Sequence, residues 1–294
     1  MNRSEEMKIG IDSYCYHRFF GEVYAVQEKP GKRMTLEDFL NKALEFQVDG
    51  VSLESCFIPS LDKGYLQEIG VFLNEHSLDR VYAWGHPLGL EGGGSDKAYK
   101  EMIDHIAFAR TIEAPVMRII GSNHRLREVP REKQLELLIL RFKEAVKVAE
   151  EYDVRLALEN HNDFNADQLL TLITEVNSPY MGINFDSGNF VRLLEDPLKA
   201  MEKLRNHVYS THIKDLKPQK GMPVDMWCFF ACTPVGDGLI DNRALACMLD
   251  EVGYQGFLAV EIDYLHPDYN DEDSAVAMSV RELRRIAGSM SSGK

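Results

Sequence analysis

Four positions in the second half of the chain carry side chains able to ligate a metal, and each closes a short strand-like run. Glu159 follows Leu156-Ala157-Leu158, Asp186 follows Ile183-Asn184-Phe185, His212 follows Tyr209-Ser210-Thr211, and Glu261 follows Leu258-Ala259-Val260. A lone acid at such a place ordinarily caps a helix or pairs with a base. Four on successive runs are another matter, because adjacent strands lie about 4.8 Å apart and their ends can converge. Three carboxylates that close repel one another and resist ionisation unless a cation sits among them. Together with an imidazole they form a hard ligand set for one divalent metal ion, Mn2+ first, with Mg2+, Co2+ or Zn2+ as alternatives.

The elements that must position these residues follow from alternation. Short, β-branched runs at Lys8–Asp12, Gly50–Glu54, Arg80–Gly85, Val116–Gly121, Arg155–Glu159, Met181–Asp186, Val208–Lys214 and Phe257–Asp263 read as strands. Between them, helical spacing predicts helices near Thr35–Gln47, Asp62–His76, Asp96–Thr111, Arg131–Tyr152, Ala166–Val176, Pro197–Arg205, Asn242–Val252 and Asp273–Ala287. Thr35 with Asp38 reads as a capping box, Pro130 and Pro197 as helix starts, and Gly253 as a helix stop. Eight strand–helix units predict an α/β fold, a single (β/α)8 TIM barrel over residues 1–294, rather than an open sheet. The first turn, Ser13-Tyr14-Cys15-Tyr16-His17, has no dinucleotide-binding glycine pattern. A barrel gathers its chemistry at the C-terminal strand ends, where the four ligands fall.

Bulk properties narrow the partners. A net charge of −14 with no basic cluster argues against nucleic acid and anionic membrane, and leaves a small molecule as the partner. No run reaches the ~18 apolar residues of a membrane span, and Met1–Met7 is short, polar and charged. The five cysteines, Cys15, Cys56, Cys228, Cys232 and Cys247, form no C-x-x-C pair and read as reduced thiols, which predicts a cytoplasmic protein.

With these residues in place the chain resembles the xylose isomerase-like TIM-barrel superfamily of sugar isomerases and epimerases. The matching motifs are Leu156–His161, Asn184–Asn189, His212-Ile213-Lys214-Asp215, Pro234–Gly238 with Ile240-Asp241, and Ala259-Val260-Glu261. The resemblance implies a Glu159–Asp186–His212–Glu261 metal site, with Glu159 and Glu261 also moving the substrate proton. It implies a divalent-metal-dependent sugar isomerase or epimerase acting on a ketose or keto-sugar. A lyase of the same fold is the alternative: decarboxylation or dehydration of a 3-oxo sugar acid, or elimination from a 3-oxo glycoside. Asn189 stands where the superfamily's endonucleases carry an extra metal histidine, which makes an endonuclease the weaker reading. Asn160-His161-Asn162-Asp163 departs from the ketose epimerases and resembles the dehydratase branch, which puts His161 among the catalytic candidates.

Strand-end positions supply the substrate-binding candidates Tyr14, His17, Glu54, His86, His124 and Lys214. Lys214 could hold a substrate oxygen or simply pair with Asp215 next to it, and Glu54 could bind a hydroxyl or pair with a base. His76, His105 and His207 read as structural. Gly92-Gly93-Gly94 reads as a plain loop or flexible lid. The apolar stretch Val224–Thr233 lies in a long loop, where it would cover the pocket, hold an aromatic part of the substrate, or meet a homo-oligomer mate or partner subunit.

Overall fold

The barrel strands in the structure, a computed structural model that describes residues 7–291, start and stop close to where the sequence runs do. They are β1 (Lys8–Asp12), β2 (Gly50–Glu54), β3 (Asp79–Ala83), β4 (Val116–Ile120), β5 (Arg155–Glu159), β6 (Met181–Asp186) and β7 (Val208–His212). A hairpin, β8 (Asp215–Pro218) and β9 (Phe230–Thr233), precedes the last barrel strand, β10 (Phe257–Val260). The reading of Met1–Glu6 lies outside the described residues.

Parallel pairing runs β10-β1-β2-β3-β4-β5-β6-β7. The two ends meet through Ile213, which bridges Val260, donates its N–H to the Ala259 carbonyl at 2.7 Å and accepts from Glu261 N at 3.2 Å. The fold is therefore a (β/α)8 TIM barrel. At its base the Phe257 ring fills the space beside Gly10 and Gly50, where an added Cβ would lie 2.2 and 2.5 Å from ring carbons. Glycine at those two positions lets a large ring plug the barrel.

The helices that wrap the barrel are α2 (Leu36–Glu45), α3 (Lys63–Glu75), α4 (Asp96–Thr111), α5 (Arg131–Tyr152), α6 (Ala166–Val176), α8 (Pro197–Leu204), α9 (Asn242–Glu251) and α10 (Glu272–Ser291). The short α1 (His17–Phe20) and α7 (Ser187–Arg192) sit directly on the C-terminal face. Each long helix buries one stripe, with Phe39, Leu66, Met102, Phe142, Leu172, Leu204, Leu249 and Leu283 sealed from solvent. Burying such a side chain stabilises the fold by about 1.5–3 kcal/mol. The expected Thr35/Asp38 capping box forms, Asp196 caps the helix begun by Pro197, and Gly253 adopts φ 70°.

Two strand ends and the glycine loop differ from the sequence reading for identifiable reasons. The strand expected over Val208–Lys214 ends at His212 because the chain turns after the Ile213 bridge into the hairpin. The strand expected over Phe257–Asp263 ends at Val260 for the same closure. The glycine loop is no lid: Gly92 and Gly93 are buried against Gln134 and Leu137 of α5, and Gly92 N donates to the Gly121 carbonyl at 3.0 Å.

Candidate active site

The last residues of β5, β6 and β7 and the first after β10 place Glu159, Asp186, His212 and Glu261 around one point. One donor atom from each lies within 4.8 Å of the other three. All four are buried. His212 Nδ1 stands 2.7 Å from Glu261 Oε2, 3.6 Å from Glu159 Oε2 and 3.8 Å from Asp186 Oδ2. Pairing of Asp186 with His212 across β6 and β7 sets two of these side by side. Asp186 also caps α7, its Oδ1 accepting from Gly188 N and Asn189 N at 2.9 Å, which fixes the carboxylate against the barrel mouth.

Charge is unbalanced here. Asp12, Glu54, Glu159, Asp186, Glu261 and Asp263 are buried, and the permanent cations among them are Arg118, Arg192 and Lys214. Burial raises Glu159, but Arg118 and His212 beside it win and hold it well below the usual carboxylate range. Burial likewise opposes His212 and Lys214 at Glu261, whose pKa nevertheless falls to about 2. Asp186 goes the other way: burial outweighs Lys214, and Glu261 and Glu159 add to the push, to about 7. That is the mark of acids crowded without enough positive charge. Glu159 Oε2, Glu261 Oε2 and both His212 ring nitrogens have no hydrogen-bond partner although buried. Orphaned donors of this chemistry, converging this closely, fit one divalent metal ion.

Several neighbours hold the cluster. Asp12 Oδ2 lies 3.2 Å from His212 Nε2. Asn189 Nδ2 donates to Asp186 Oδ2 at 2.9 Å and to Glu159 Oε1 at 3.2 Å. Lys214 Nζ stands 2.5 Å from Asp186 Oδ2, 2.9 Å from Glu261 Oε2 and 3.2 Å from Asp263 Oδ2. Asp263 in turn takes both arms of Arg192, at 2.5 and 2.7 Å.

A cavity of about 290 Å³ opens over the cluster. Of the residues singled out from sequence, Tyr14, Glu54, His86, His124, His161, Lys214, Glu159 and Glu261 line it. Burial holds His161 below the ordinary histidine pKa, so its ring is neutral near pH 7. His17 is not among the lining residues. Its ring nitrogens lie 2.6 Å from the Glu22 carbonyl and 2.7 Å from that of Asp263, so it clasps the first loop to the last. Lys214 does not pair with Asp215, whose oxygens accept the N–H groups of Leu216, Gly236, Gly238 and Ile240. Glu54 pairs with Arg118.

Sequence reading did not single out Asp12, Arg118, Arg192 or Asp263. Asp12 and Asp263 each end a run read as a strand, so the strand-end rule reached them; Arg118 was a charge inside an apolar run. The apolar loop finds its place at the rim: Trp227 lines the cavity, edge-on to Tyr24 with ring centres 4.9 Å apart, under the Arg192 guanidinium at 5.2 Å. No helix among the described residues is long and apolar enough to cross a membrane.

Known proteins share this architecture. Inosose dehydratase from Clostridium perfringens is 28% identical over 193 residues, 57% of this chain and 64% of that protein. The 3-oxo-isoapionate decarboxylase of Pectobacterium atrosepticum is 27% identical over 156 residues, 53% of this chain and 54% of that protein. The chain thus spans between about half and two thirds of the length of these relatives. Among solved structures, a 3-keto-D-glucoside 4-epimerase from E. coli superposes with a TM-score of 0.69 at 17% identity, covering 95% of this chain and 100% of that one. An IolI protein with a bound zinc atom superposes with a TM-score of 0.72 at 16% identity, over 96% and 99% of the two chains. The family model described as xylose isomerase-like TIM barrel matches residues 40–286, and the chain belongs to that family.

Proposed function

We propose that this chain, taken over 1–294 as one domain, is a divalent-metal-dependent enzyme that isomerises or epimerises a keto-sugar. The observation that carries this reading is the pair of buried glutamates, Glu159 and Glu261, both held ionised on the floor of a sugar-sized cavity. A divalent ion, Mn2+ in our reading, held by Glu159, Asp186, His212 and Glu261 would act as a Lewis acid toward the substrate carbonyl.

The chain's own residues supply the rest. One glutamate takes the proton from the carbon beside the carbonyl while the C–H electron pair moves toward the carbonyl oxygen. For isomerisation the same glutamate returns that proton to the neighbouring carbon while a hydroxyl proton passes between the two oxygens; for epimerisation the other glutamate, once it has taken a proton from solvent water, delivers it to the opposite face. Lys214 donates toward a substrate oxygen, and Tyr14, His86 and His124 contact the outer hydroxyls from the cavity wall. Trp227 and Tyr24 cover the apolar face of the ring. We place the enzyme in the cytoplasm, in keeping with its five unbridged cysteines.

A lyase outcome is the second reading, and two observations favour it. The sequence relatives named above are a dehydratase and a decarboxylase, and His161 is a neutral imidazole in the cavity wall, suited to accept a proton during an elimination. The test is product analysis of the Mn2+-loaded protein with ketoses and 3-oxo sugars in D2O. Deuterium gained at the carbon beside the carbonyl, with the carbon skeleton and all oxygens retained, supports the isomerase. Loss of water, CO2 or an aglycone assigns the lyase. No exchange and no product with any oxo sugar rejects both.

A further inference from the structure

Arg118 lies inside β4, 4% exposed, where a barrel strand ordinarily carries a branched apolar side chain. Its guanidinium is divided among three strands. One terminal nitrogen donates to Glu54 at the end of β2, and the other reaches the Trp84 carbonyl after β3 at 3.4 Å. Nε stands 3.1 Å from Glu159 Oε2 on β5. That oxygen is the one turned toward His212 and the metal-ligand cluster. The other oxygen of Glu159 is held by Asn189.

A buried charged triad of this kind costs desolvation that well-packed apolar side chains would avoid. What it provides is geometry. The planar fork of arginine donates to Glu54 and at the same time holds its charge 3.1 Å from Glu159 Oε2, an ion pair without an aligned hydrogen bond, a placement that a lysine ammonium on a flexible stem does not reproduce. Glu54, in turn, is committed to Arg118 and is not free to recognise a substrate hydroxyl with that oxygen.

We infer that Arg118 is a positioning residue that acts through Glu159, holding its Oε2 toward the metal, and that Glu54 orients Arg118 rather than binding substrate. This rests on the reading of Glu159 as a metal ligand.

The test measures Mn2+ affinity of metal-stripped protein, from the electron paramagnetic resonance signal of free Mn2+, alongside the melting temperature. Wild type, Arg118→Lys, Arg118→Met and Glu54→Gln are compared. Removing the partner that orients a ligand costs about 10–100-fold in metal affinity. Arg118→Met should lose that much, and Arg118→Lys, which keeps the charge and the fold, should lose most of it. Glu54→Gln should shift affinity in the same direction by less. A folded Arg118→Lys that melts lower yet binds Mn2+ as wild type does would make the triad merely structural and overturn the inference. A wild-type protein that takes up no Mn2+ sinks the metal reading itself, and this inference with it.

Discussion

Asp12 Oδ2 stands 3.2 Å from His212 Nε2, while the other ring nitrogen of His212 faces Glu261 Oε2 at 2.7 Å. The carboxylate at the end of the first strand thus lies beside the ring nitrogen turned away from Glu261, a charge contact rather than an aligned hydrogen bond. A carboxylate beside the second nitrogen of a histidine ligand favours one ring orientation and strengthens the ligand.

Asp12→Asn should therefore weaken Mn2+ binding by about 10-fold or more while leaving the fold intact. Calorimetric titration of the metal-stripped protein checks it. Unchanged affinity would show that His212 is oriented by the cluster alone.

The proton-moving role of the two glutamates makes a separate claim. Glu159→Gln and Glu261→Gln should each lower solvent-deuterium exchange into a keto-sugar by about 10²–10⁴-fold. The amide keeps the volume of the side chain but cannot accept the proton. Proton magnetic resonance in D2O reads the exchange directly, and full retention in both variants refutes the assignment.

Trp227 should govern substrate affinity more than turnover. Its ring lines the cavity rim, supported by Tyr24 and Arg192. Trp227→Ala removes a stacking surface of about 1 kcal/mol, so KM should rise several-fold with kcat little changed. Steady-state kinetics showing the loss in kcat instead would move Trp227 into the chemistry.

The loop after the seventh strand hangs on one carboxylate. Asp215 accepts four backbone N–H groups, at 2.9–3.0 Å, and a Cβ on Gly238 would lie 2.1 Å from its Oδ1. Asp215→Ala leaves several buried amides without an acceptor and should cost about 3 kcal/mol or more. Urea unfolding measures it; a loss below about 1 kcal/mol would mean that water replaces the carboxylate freely.

Stability should also depend on pH through His105, which is buried on α4 with Nδ1 2.7 Å from the Tyr82 hydroxyl. Burial lowers its pKa below the ordinary 6.5, despite Glu101 and Asp104. The folded state therefore favours the neutral ring. Its contribution is present above the ordinary pKa and is lost as pH falls through the lowered one. His105→Gln should flatten that part of the decline. Urea melts at about pH 7.5 and about pH 5 compare the two proteins, and equal slopes would discard His105 as the cause.

The barrel and the four-residue cluster at its rim were both legible before folding, because both are written in local pattern. Strand-period runs alternating with helix-period stretches leave few folds, and a chemical group at the end of each run is carried to the same rim. Glu159, Asp186, His212 and Glu261 were legible for that reason, and so was the capping of α2 by Thr35 and Asp38. Tertiary structure alone decided the partners. Nothing local says that Arg118 on β4 joins Glu54 on β2 to Glu159 on β5, or that Lys214 passes over Asp215 to reach Asp186, Glu261 and Asp263. Those contacts depend on how strands far apart in sequence are rotated about the barrel, a property of closure that no single segment carries. The same holds for His17, whose place after β1 pointed to the cavity until the first and last loops closed on both of its ring nitrogens.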